Sequence, residues 1–92
     1  MEVKDAIAQA KEFVRELYQD EPIEKIGLEE VEFERGSGGG TWAITIGFQR
    51  VWQVAGGSFT MGSPTRVYKV VRILDTDGSL TSIKNHRMSV EN

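Results

Sequence analysis

The hydrophobic period of this chain changes once, near Pro22, and that change decides most of what it can fold into. Before it, Val3, Ile7, Ala10, Val14 and Leu17 recur at spacings of three and four, and Phe13 widens the stripe. This is the period of a helix with one buried side. The spacing predicts a helix over residues 3–19, with Lys4, Asp5, Lys11, Glu12, Arg15 and Glu16 on the wet side. Pro22 stops it, because a proline pushes the residue before it out of the α region. Beyond Pro22 the pattern alternates residue by residue, which only strands do. One helix and several strands in 92 residues leave material for a single domain over 1–92. The expected class is α+β: an N-terminal helix packed on a four-stranded antiparallel sheet, in the order α-β-β-β-β.

The strands are uneven in strength. Ile23, Ile26 and Leu28 read as a short apolar connector, followed by Glu30-Val31-Glu32-Phe33-Glu34, a strand with one wet face. The run Gly36-Ser37-Gly38-Gly39-Gly40 is a hairpin connection. It is glycine-rich enough to suggest a phosphate loop, but no Lys-Ser or Lys-Thr follows, and a strand comes next where an anion site needs a helix N-terminus. Thr41 to Trp52 is the strongest strand, with Trp42, Ile44, Ile46 and Phe48 expected to face Ile7, Ala10, Val14 and Leu17.

Arg66 to Leu74 and Ser79 to His86 follow as two strands joined at Asp75-Thr76-Asp77-Gly78, where Asp-Gly marks a hairpin. The two aspartates lack the further oxygen ligands of a calcium loop. Pairing Leu74 with Leu80 puts Val67, Val71, Ile73 and Ile83 in the core. It turns Tyr68, Val70, Leu74, Leu80 and His86 outward beside Arg72 and Lys84.

Little in the chain can do chemistry. With no cysteine, disulfides, thiolate metal sites and thiol nucleophiles are excluded. The one histidine, His86, has no second nitrogen ligand and reads as a solvated strand residue. No Gly-x-Ser-x-Gly elbow occurs, and the dense carboxylates Glu30, Glu32 and Glu34 alternate as a wet strand face does. No catalytic residue, cofactor or metal site is therefore expected. The net charge of -3 argues against nucleic-acid binding. No run approaches the ~18 apolar residues of a membrane span. Met1 leads straight into a charged amphipathic segment without a leader, so a cytoplasmic protein is expected.

The element order and the closing hairpin carry a resemblance. Tyr68-Lys69-Val70 and Asp75-Thr76-Asp77-Gly78-Ser79-Leu80 match the form Tyr-x-Val…Asp-x-x-Gly-x-Leu. In this the chain resembles PepSY-type domains and, more broadly, the cystatin-like α+β rolls. The likeness spans about two-thirds of the chain in order of elements and implies a fold, not an activity. Gln53-Val54-Ala55-Gly56 is one residue short of the cystatin inhibitory loop and follows the second strand after the helix instead of the first. Protease inhibition is not expected.

Two functional expectations follow. The first is a non-catalytic protein- or peptide-interaction module, homodimeric, using an apolar surface of Phe59, Met61, Tyr68, Val70, Leu74 and Leu80. Phe59 and Met61 come from the aperiodic segment 53–65. The second is a small-ligand binder, or an enzyme like nuclear transport factor 2-type domains, with a pocket between helix and sheet. That pocket needs ~300 Å³ or more, and Lys69 is its one candidate polar lining residue.

Overall fold

The computed structural model describes residues 1–36, 38–50 and 66–86. Phe59 and Met61, and the rest of 51–65, lie outside the described residues. One helix, α1 (Val3–Leu17), precedes β1 (Ile23–Gly36), β2 (Gly39–Arg50), β3 (Arg66–Leu74) and β4 (Leu80–Asn85). The four strands form one antiparallel sheet in the order β1-β2-β3-β4. The α+β architecture read from the sequence is thus the one observed.

The helix lies on one face of the sheet, mainly over β2 and β3. Ala6, Ala10 and Val14 close completely against Ile44, Ile46, Phe48, Val71 and Ile73. Ile7, Phe13, Val31, Trp42, Val67 and Ile83 fill the margins. The expected partners of β2 need one correction. Leu17 is 58% exposed and Val3 39%, although both share the azimuth of the stripe. They occupy the last and first positions of α1, where its ends outrun the cover of the sheet. Their place is taken by Ala6, and by Tyr18, whose ring packs on Phe48 with centroids 4.9 Å apart.

The connector expected at Ile23 to Leu28 is part of β1. It escapes the alternating pattern because the register slips twice, between Glu24 and Gly27 and between Leu28 and Glu30. Each slip adds residues to β1 opposite an unchanged β2, and the local backbone bends. Lys25 sits in the first slip at φ 57, a conformation that costs a side-chain-bearing residue roughly 1–2 kcal/mol. Arg66 holds it there, donating from Nη1 to the Lys25 carbonyl at 3.0 Å.

The β3–β4 hairpin follows the expected register from Lys69↔Asn85 to Arg72↔Ser82 and then departs from it. Thr81 is the extra residue, its hydroxyl donating to the Arg72 carbonyl at 3.2 Å. Leu80 therefore lies across from Ile73, not Leu74. It is removed from the outer face where the sequence had put it. At the turn Gly78 takes φ 74, and the Asp77 carboxylate accepts from the amide and the hydroxyl of Ser79.

At the far end of the sheet the Trp42 indole donates to Asp75 Oδ1 at 2.8 Å, and the Met1 ammonium lies 3.3 Å from the same oxygen. The indole bond holds the Asp75 carboxyl below its ordinary 3.8; partial burial opposes this, and the ammonium adds a smaller push downward. A carboxyl whose pKa falls on folding stabilises the fold above its unfolded pKa and loses that contribution as pH falls through the folded value. Asp75→Asn should therefore cost stability at neutral pH, and the difference from wild type should shrink as pH drops below 3.8. Urea unfolding from about pH 6 to about pH 2 measures it, and a difference that does not change with pH would exclude the charge as the cause.

Candidate functional site

The face of the sheet turned away from the helix is built by the even-numbered residues of β1 after its bulges, by Thr41, Ala43, Thr45 and Gly47 of β2, and by Arg66, Tyr68, Val70, Arg72 and Leu74 of β3. The pairing fixes this: Glu30↔Thr45, Glu32↔Ala43 and Glu34↔Thr41 on one side, then Ala43↔Arg72, Thr45↔Val70 and Gly47↔Tyr68 on the other. On β4, Ser82 and Lys84 extend the face opposite Arg72 and Val70.

Charge runs across this face in order. β1 carries an acidic row, β2 a floor of small side chains, and β3 with β4 the arginines and Lys84. The floor is deep: Ala43 is 6% exposed and Thr45 4%, although no helix covers them. Long neighbours lean over them from both sides. Arg72 pairs with Glu34 at 3.3 Å, and His86 Nε2 lies 3.8 Å from Glu30 Oε1. Arg66 reaches across β2 to Glu29 at 2.7 Å. That bridge lies directly on Gly47, where a Cβ would come within 2.6 Å of the Glu29 carboxylate. A side chain at this position would push the bridge aside.

Glu30, Glu32, Ala43, Thr45, Val70, Arg72 and His86 enclose a cavity of about 90 Å³ on the floor. Small-molecule pockets run to roughly 300–1,000 Å³, so this space suits a few water molecules or the tip of one side chain. Among the described residues no group of three or more His, Asp or Glu side chains is arranged to hold a metal ion. No helix among them is long and apolar enough to cross a membrane.

Of the surface expected from the sequence, Tyr68, Val70 and Leu74 are found together on the outer face, each half-buried. Leu80 is not with them, and Phe59 and Met61 fall outside the described residues. His86, read as a solvated strand residue, stands at the wall of the trough. Lys69 is on the helix side but not in the core; its ammonium bonds Asn85 and lies 6.0 Å from the centre of the Tyr18 ring. Sequence reasoning missed the bridges over the floor. The available signal was Gly47 between Ile46 and Phe48, since a glycine inside a strong strand marks a close approach.

No known protein family, curated protein or solved structure matches the chain.

Proposed function

We propose that the chain is a small, non-catalytic interaction module that pairs with a second copy of itself through the outer face of its sheet. The observation that supports this is the lateral order of charge on that face. A two-fold axis running parallel to the strands, between two face-to-face sheets, lays β1 of one copy over β4 of the other. Glu30, which shares a register row with Lys84 through Thr45 and Val70, then meets Lys84 of the other copy, and the bulky β3 residues Tyr68 and Arg72 enter the floor of small β2 residues. An in-plane axis across the strands would instead stack acid on acid and base on base. Complementary rows steer and fix the register of an interface, and aligned sheets pack at about -30° with ~10 Å between them. The bridges within each chain are surface ion pairs worth ~0–1 kcal/mol each, so exchanging partners on association costs little.

Light scattering at micromolar concentration tests this reading. The wild-type chain should be a dimer, and Tyr68→Glu or Ala43→Arg, which fill or charge the floor, should give monomers. Glu30→Lys and Lys84→Glu should each weaken the dimer, and the double exchange should restore it. Lys84 forms no ion pair among the described residues, so the Lys84→Glu arm reads the interface alone, while Glu30 also lies 3.8 Å from His86 Nε2. A wild-type monomer throughout that range would end the proposal.

A further inference from the structure

β1 is an edge of the sheet, and among the described residues nothing pairs with its outer rim. The ladder says which backbone groups lie there. The Gly40 carbonyl accepts from the Asp75 amide at 2.9 Å, so the backbone groups of Gly40 point toward β3 and away from Arg35 across the hairpin. In an antiparallel pair this direction alternates at every residue, and the register holds without a slip from Glu30 to Gly36. Thr41, Ala43 and Thr45 therefore exchange bonds with Glu34, Glu32 and Glu30. Val31, Phe33 and Arg35 turn their amides and carbonyls outward.

The side chains beside this rim are sorted by face. Glu30, Glu32 and Glu34 project on the outer side, and Glu30 and Glu34 keep 50% and 44% of their side chains exposed. Val31 and Phe33 lie on the helix side; Val31 packs at the margin of the core, and Phe33 is 42% exposed. A bare edge invites a second copy, but two β1 edges side by side would set carboxylates directly opposite one another, which is destabilising. The same row favours a strand that brings cations to it.

We propose that the free edge of β1 takes up an extended peptide segment of another protein in which basic and apolar residues alternate. The peptide's main chain bonds to Val31, Phe33 and Arg35. Its lysines or arginines neighbour the acidic row, and its apolar residues extend the Phe33 surface. The site is an edge, not the outer face, so it does not depend on self-association.

The test uses the full chain carrying Tyr68→Glu, which removes outer-face pairing. The probe is a fluorescent Lys-Val-Lys-Val-Lys-Val-Lys peptide, with the Glu-for-Lys version as its control. The lysine peptide should bind and the glutamate peptide should not. In the complex the amides of Val31, Phe33 and Arg35 should gain protection from hydrogen exchange. Val31→Pro deletes one outward amide and no ladder bond within the chain, and should weaken binding about fivefold, the effect of one net hydrogen bond. If that variant does not fold, Glu32→Lys decides: it should weaken the lysine peptide severalfold and admit the glutamate peptide. The proposal is overturned if the lysine peptide does not bind or if protection appears on β4 or the helix instead. It is also overturned if the deciding variant binds like its parent, or if the chain alone elongates by β4 adding to β1.

Discussion

Phe48→Ala should lower the unfolding free energy by ~3–5 kcal/mol, the largest loss expected from a single side chain among the described residues. Among the described residues Phe48 is the largest side chain with no exposure at all. It sits where β2 passes beneath the C-terminal end of the helix, paired with Val67 on β3 and roofed by the tilted Tyr18 ring. Truncation removes the apolar contact and also takes the floor from Tyr18, which carries Arg50 5.6 Å above its own ring. Small domains hold only ~5–15 kcal/mol in total, so the loss is a large share of what keeps the chain folded. Each kcal/mol is worth about 4–8 °C at this size, and the melting temperature should fall by roughly 12 °C or more. Urea titration gives the value directly, with an unchanged slope showing that the denatured state is unaltered. Leu17→Ala on the exposed end of the helix should stay near ~0.5 kcal/mol. Equal losses for the two would mean that Phe48 is not in the core.

The elements that were legible in the sequence are those whose period is unbroken. Ile44, Ile46 and Phe48 alternate without interruption along β2, and all three are buried. The helix stripe was readable for the same reason, except at Ala6, because an alanine adds little apolar weight to a pattern yet fits where the backbone comes closest. β1 was half legible: after its second slip Glu30, Val31, Glu32, Phe33 and Glu34 alternate as predicted. Before that slip the apolar residues stand three and two apart, and the one local mark of a bulge, Gly27, is a single glycine in a stretch without alternation. Leu80 was misplaced through a single inserted residue, since one extra position in a strand turns every side chain beyond it to the other face. Its marker is the Thr81 hydroxyl bound to a carbonyl nine residues earlier, which no local pattern encodes. The Trp42–Asp75 bond spans 33 residues and was invisible for the same reason.

Charge shows the same division. The sequence places acid early and base late, and a reader of composition alone sees only a modest negative balance. The antiparallel order converts that separation along the chain into a separation across one face. The acidic row on β1 and the basic residues on β3 and β4 stand on opposite sides of β2 because β2 lies between them in the sheet. Both binding proposals draw on this conversion, one through the face and one through the edge.

Ala10→Leu should destabilise the fold by ~1–3 kcal/mol, and its sign separates a closed helix–sheet interface from a ligand pocket. Ala10 has no exposed surface and faces a layer of Ile44, Ile46, Val71 and Ile73 that is equally closed. The added isopropyl group has nowhere to go unless the helix lifts from the sheet, which would open Ala6 and Val14 to water as well. Helix propensity does not confuse the result, because alanine and leucine are both among the best helix formers. If instead a space of ~300 Å³ lay between helix and sheet, as a small-ligand domain requires, leucine would fill part of it and raise stability. The matching control is Ala8→Leu on the exposed side of the same helix, which should change stability by less than ~0.5 kcal/mol. Chemical denaturation of the two variants side by side gives the answer. Stabilisation by Ala10→Leu would shift the functional reading from the sheet surface to the helix–sheet seam.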